Sequence, residues 1–126
     1  MFNYLAKLVK VVDGDTLDLV VDLGFSVGVT ERFRVYGINA PESRTLDLKE
    51  KAAGLATKEF VVKLLAAQTE ALQVVTHKDD KEKYGRYLAE IFVKVDETGK
   101  AFDTPKSMAD YLVEQGLAVA YFGGKR

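Results

Sequence analysis

The stretch TLDLVVDL, residues 16–23, sets Leu17, Leu19, Val21 and Leu23 on one side of an extended chain and Asp18, Val20 and Asp22 on the other. This alternation has the period of a β-strand with one face buried and the other wet. A strand-like run at 5–12 precedes it. A third follows at 29–38, where Phe33 and Val35 oppose Arg32, Arg34 and Tyr36. Gly24 and Gly28 flank a long hairpin connection between the second and third runs, and Gly37 and Pro41 end the third.

The period then changes. Across 48–67, Ala52, Ala56, Phe60 and Leu64 recur every fourth residue, joined by Leu55, with lysines and glutamates elsewhere, which predicts an amphipathic helix with these residues inward. Strands are predicted again at 70–77 and 87–95, separated by the charged loop HKDDKEKYGR. Thr104 is suited to cap a second helix, with Pro105 at its first position, Gly116 just past its end, and Met108, Tyr111 and Leu112 as its inner stripe. The predicted order is β-β-β-α-β-β-α, a mainly β fold with packed helices (α+β). It matches a five-stranded OB-type Greek-key barrel, although other small α+β folds share that order.

A chain of 126 residues fits one domain, residues 1–126, large enough for a real core. With 48% apolar and 29% charged residues it reads as an ordinary soluble globule, and a net charge of −1 supplies no global basic field. Any anion site must be built locally. The absence of cysteine excludes disulfides and thiolate metal sites. Lys7 and Lys10 interrupt the N-terminal apolar run, no cleavage pattern follows, and no run approaches a membrane span. The expectation is a cytoplasmic or intracellular monomer with no membrane contact.

Three segments carry candidate chemistry. In Asp13-Gly14-Asp15-Thr16 two carboxylates bracket a glycine. The plain reading is a hairpin corner, where glycine tolerates positive φ. The alternative is that Asp15 opens a strand as a fixed oxygen ligand. In FRVYGINAPE, residues 33–42, Pro41 pushes Ala40 into an extended geometry, so Asn39, the Ala40 carbonyl and Glu42 cluster at a strand end, with Arg34 in the same strand. In KYGR, residues 83–86, a turn presents Tyr84 and Arg86. Each segment alone is equally well a strand exit or a solvated turn. Taken together, oxygen ligands without Cys or His suit Ca²⁺ or Mg²⁺, and two arginines suit a phosphate. A cation, two arginines and a glutamate are the parts that hydrolyse a phosphodiester. His77, the single histidine, is read as a polar surface residue.

VVDGDTLDL, FRVYGINAPE, KYGRYLAEIFV and YLVEQGLA, in that order, resemble the staphylococcal nuclease (thermonuclease) family from about residue 5 to residue 122. The resemblance implies an OB-type barrel that cleaves DNA and RNA with Ca²⁺. It implies Asp15, Asn39 and the Ala40 carbonyl as metal ligands, with Asn39 standing where the family usually has a second aspartate. Glu42 would orient or deprotonate the attacking water, and Arg34 and Arg86 would clamp phosphate. Tyr84 and Tyr121 resemble aromatic residues lining the nucleotide pocket, and Asp13 and Thr16 resemble supporting residues. The connection at 22–32 and the segment 95–106 are longer than in the best-known member. The alternative function is an OB-fold module that binds nucleic acid or protein without cutting. Asn39 and the near-neutral charge favour that reading; the four retained charged residues favour the nuclease.

Overall fold

A computed structural model of the chain describes residues 2–77 and 86–121. β1 (Phe2–Asp13) and β2 (Thr16–Asp22) form an antiparallel hairpin around the Asp13–Thr16 corner, and β3 (Gly28–Val35) pairs antiparallel with β2. After β4 (Gly37–Asn39) and α1 (Leu48–Ala66), β5 (Leu72–Thr76) returns to pair with β1, and β6 (Tyr87–Val95) pairs with β5. A parallel contact between β3 and β6, Phe33–Val35 against Tyr87–Ala89, closes these five strands into a barrel. This is the expected OB-type α+β architecture with two helices.

Leu17, Leu19 and Val21 on β2, with Phe33, Val35, Leu72, Val74, Ala89, Ile91 and Val93, fill the barrel at 0–5% exposure, as the alternation predicts. Leu23 lies beyond the end of β2 and is 47% exposed. The β1–β2 register shifts between Leu8 and Lys10, leaving Val9 exposed. Before this bulge Ala6 points inward, and beyond it Val11 does, because one extra residue reverses the alternation.

The expected 29–38 strand is broken in two. Val35 N–H bonds the Asp15 carbonyl at 2.8 Å, Gly37 takes φ 94°, and β4 leaves the barrel wall to pair with β8 (Val119–Tyr121). The second helix also differs from expectation. Residues 101–107 form a strand, β7 (Ala101–Ser107), on the outer edge of β6, and α2 runs Met108–Glu114 with Ser107, not Thr104, as its cap. An edge strand tolerates Pro105 because one side of its backbone needs no ladder partner. Met108, Tyr111 and Leu112 are buried as expected, and Gly116 follows the helix at φ 73°.

α1 starts where Asp47 accepts from the amides of Lys49 and Glu50. Its inner face is Gly54, Thr57, Val61, Leu64 and Leu65, whereas the expected Ala52, Leu55 and Ala56 are exposed and Phe60 is half-buried. The reason is close approach. A Cβ on Gly54 would lie 2.3 Å from the Glu42 carbonyl oxygen, and one on Gly14 would lie 2.4 Å from the Thr57 methyl. The helix therefore docks closely, through Gly54 and Thr57, onto both loops that carry candidate site residues. Among the described residues no helix is long and apolar enough to cross a membrane.

Candidate active site

Asp15 anchors the site. It follows Gly14, which is not at positive φ; glycine is needed there for space against Thr57, not for a left-handed turn. The Asp15 carbonyl holds Val35 N–H, and its Oδ2 accepts from Ala40 N–H at 3.0 Å. One residue thus ties both ends of the 35–40 turn. Its other oxygen, Oδ1, accepts from Thr16 Oγ1 at 3.0 Å.

Arg34 reaches the same turn. Its Nη1 donates to the carbonyls of Ile38 at 3.0 Å and Val35 at 3.4 Å, and its Nη2 donates to the Asn39 side-chain oxygen and lies 3.8 Å from Asp15 Oδ2. Arg34 and Asp15 side chains are each 13% exposed, so the surrounding protein weakens the screening of their attraction. Arg86 Nη1 approaches Thr16 Oγ1 at 3.5 Å. Both guanidiniums therefore gather around Asp15, one directly and one through Thr16.

The Tyr121 ring centre lies 5.7 Å from Arg34 Cζ, a cation–π distance set by the pairing of Gly37 with Tyr121. Asp13 faces a neighbouring loop. Its carboxylate accepts from the Ser43 hydroxyl, and from Ser43 N–H at 3.4 Å, and lies 3.7 Å from Arg44. Ser43, only 3% exposed, is a supporting residue that sequence reasoning missed; nothing in a lone serine announces a partner thirty positions earlier. Glu42 projects into solvent from the loop that Ser43 pins. Tyr84 lies outside the described residues. His77 stacks on Tyr36 with ring centres 3.8 Å apart and contacts Glu90 at 3.1 Å, away from Asp15.

The three residues that the sequence suggests for a cation, Asp15, Asn39 and Ala40, offer only oxygens: one carboxylate, one amide and one backbone carbonyl. Asp15 Oδ2 and Asn39 Oδ1 both face Arg34 Nη2, so the guanidinium itself lies between the two oxygens. Oxygen donors of this kind suit a hard cation, with one formal negative charge among them. No group of three or more His, Cys, Asp and Glu suited to a metal occurs among the described residues. Beside the site, a groove of about 640 Å³ runs between α1 and β8, lined by Asn39, Ala40, Lys49, Ala53 and Tyr121 among others.

A family model described as staphylococcal nuclease homologue matches residues 32–126. A thermonuclease of Staphylococcus intermedius is 32% identical over 123 residues, covering 90% of the chain and 68% of that protein. Protein ParB of Escherichia coli is 29% identical over 115 residues, covering 91% of the chain and 56% of that protein. An uncharacterized protein of Methanocaldococcus jannaschii is 33% identical over 109 residues, covering 72% of the chain and 49% of that protein. The chain thus spans about half the length of the latter two relatives.

Proposed function

Because the chain belongs to the staphylococcal nuclease family, we propose that it hydrolyses phosphodiester bonds of DNA, RNA or both, with Ca²⁺ as cofactor. The observation that carries this reading is the gathering of two guanidiniums around one carboxylate. Arg34 lies 3.8 Å from Asp15, and Arg86 lies 3.5 Å from the threonine hydroxyl that donates to Asp15. A carboxylate with two arginines suits an anionic substrate accompanied by a cation better than it suits a structural ion pair.

Asp15, Asn39 and the Ala40 carbonyl would hold the cation, which when bound polarises a phosphoryl oxygen. Arg34 and Arg86 bind the phosphate and counter the charge that grows as a fifth oxygen approaches phosphorus. Glu42, solvent-facing, orients water and accepts its proton as the new P–O bond forms and the bond to the leaving oxygen breaks. Thr16 keeps Asp15 Oδ1 turned toward Arg86, and Tyr121 packs against Arg34, on the nucleoside side.

Incubation with single-stranded DNA, in Ca²⁺ or in chelator, tests the proposal. Cleavage in Ca²⁺ alone is expected, and equal rates in both conditions would refute metal dependence. The bond from Arg34 to Asn39 and the single carboxylate favour a second reading, a module that binds nucleic acid without cutting it. Shifted but intact DNA at high protein would select that reading.

A further inference from the structure

Helix α1 carries small or apolar residues on two faces. The inner one, from Gly54 to Leu65, is buried against the site loops and the core. On the outer one, Leu48, Leu55 and Val62 recur at seven-residue steps and are 80%, 48% and 44% exposed. Ala52, Glu59 and Ala66 recur at the same step between them, and all three are exposed. The positions advance by four and three residues in turn, which is the spacing of a two-helix coiled-coil seam. With 3.6 residues per turn, the seam lies roughly 150° around the helix from the inner face, turned away from both site loops. A lone exposed leucine is ordinary, but a row of them in step with the helix is an interaction face. The periodicity predicted Ala52 and Leu55 inward; placed outside, they have no cover among the described residues.

We propose that this seam pairs two copies of the chain, α1 against α1, antiparallel about a two-fold axis. The inference stands apart from the nuclease reading. Self-complementarity commits the face to a second copy. Antiparallel pairing sets Leu48 against the partner's Ala66, Ala52 against the partner's Val62, and Leu55 against the partner's Glu59. Large meets small in the first two layers, so the side chains interdigitate. In the third, the methylenes of Glu59 cover Leu55 while its carboxylate turns outward to the partner's Lys51 or Lys58. Parallel pairing in register would instead set Glu59 against Glu59, and like charges in a seam repel. On the flanks, Lys49 comes opposite the partner's Lys63 and Lys58 opposite its own counterpart, whereas Glu50 lines the groove, off the seam. Lys63 already lies 3.4 Å from Glu59 in its own helix, which offsets part of that repulsion. A seam only about 27 Å long, at 1.5 Å per residue, with lysines on its flanks gives a weak dimer set by concentration.

Sedimentation equilibrium of the intact chain, from micromolar to millimolar, tests this without any cleavage assay. The mass should climb from that of one chain toward that of two. Leu55→Glu puts a second carboxylate opposite the partner's Glu59 and should weaken the dimer about tenfold or more. Its melting should stay near that of the intact chain, because Leu55 is on the outer face. A chain that is monomeric throughout, or a Leu55→Glu dimer as strong as the original, would overturn the seam. Introduced thiols report the orientation, since the chain has no cysteine of its own. The double variant Leu48→Cys/Ala66→Cys should oxidise to a covalent dimer, and the two thiols stand at opposite ends of α1, too far apart to bridge within one chain. Ala66→Cys alone should stay uncrosslinked. A covalent dimer of Ala66→Cys alone would mean a parallel pair, and a double variant that gives none would mean no pairing along this face; either result overturns the proposal.

Discussion

Arg34 Nη2 donates to the side-chain oxygen of Asn39 while lying 3.8 Å from Asp15. One guanidinium thus bridges the candidate ligand that is charged and the one that is not. From sequence alone, Asn39→Asp would set two carboxylates repelling each other across a small site. With Arg34 between them the new charge gains a cationic partner. The expected outcome is metal-free melting unchanged or raised, together with a lower Ca²⁺ midpoint for cleavage. The decrease should be about tenfold at most, since Arg34 competes for the same oxygen. Melting in chelator and Ca²⁺ titration of the cleavage rate check the two halves. A clear drop in metal-free stability would show that Arg34 does not bridge the pair.

Loss of either arginine side chain should reduce cleavage, and Arg34 also supports the fold. Arg34 holds the Ile38 carbonyl and Asn39 as well as facing Asp15, so it supports the 35–40 turn. Arg34→Ala should cost about 2 kcal/mol of stability, from two lost bonds at roughly 1 kcal/mol each, as well as activity. Arg86→Ala should reduce turnover on the order of a hundredfold, the scale of losing one transition-state donor. Lys100→Ala, on the β6–β7 turn, is the control. Thermal melts and cleavage rates of the three variants separate support from catalysis; equal rates in Arg86→Ala and Lys100→Ala would remove Arg86 from the site.

On the barrel's outer face Arg32 Nε donates to Asp18 at 2.8 Å and Nη2 at 3.2 Å. This hydrogen bond, aided by the charge of Arg32, holds the Asp18 carboxyl below its ordinary range. The pair's contribution is therefore complete above the unfolded carboxyl's titration near pH 4 and is lost as pH falls through the lower folded value. Arg32 is 46% exposed, so the contribution is only about 0.5 kcal/mol. Asp18→Asn should lower the melting temperature slightly at pH 7 and not at pH 2, and high salt should shrink the pH 7 difference. A difference that persists at pH 2 would mean the substitution acts through something other than charge.

The barrel was legible because Leu17, Leu19 and Val21 face inward on a strand with a period of two, and a buried face leaves that mark directly in hydrophobicity. The inner face of α1 was not. The helix touches the loops through Gly54 and Thr57, and backbone proximity of this kind demands small residues rather than apolar ones, so Ala52, Leu55 and Ala56 gave the wrong side. Thr104-Pro105 has the pattern of a helix start, yet lies in β7 because tertiary pairing with β6 overrides a local cap, and Ser107 serves instead. The gathering of Asp15, Thr16, Arg34, Asn39 and Ala40 was foreshadowed by motif order. What motif order could not convey is that Arg34 bonds Asn39, or that Asp15 spends Oδ2 on the Ala40 amide. Both depend on the left-handed Gly37 turning the chain back toward Asp15.

The contact between Gly14 and Thr57 offers the most direct test of how α1 positions the site. A Cβ at Gly14 would meet the Thr57 methyl at 2.4 Å, Ala40 Cβ at 3.1 Å and Thr57 Cβ at 3.3 Å. Since Gly14 is not at positive φ, an alanine there suffers from crowding alone. Overpacking of this kind costs about 1–3 kcal/mol. Thr57 is 1% exposed, and its hydroxyl donates to the Leu117 carbonyl at 2.9 Å, joining α1 to the segment that leads into β8. Thr57→Ser removes the methyl and keeps that hydroxyl. Gly14→Ala should therefore be destabilising and should reduce cleavage by shifting the adjoining Asp15. Thr57→Ser alone should cost about 1 kcal/mol for the lost buried methyl. The double variant should be more stable than the sum of the two losses predicts, by about 1 kcal/mol, and should recover part of the cleavage rate. Denaturant melts of the four proteins give the coupling energy. Strict additivity would mean that Gly14 is required for some reason other than the approach of α1.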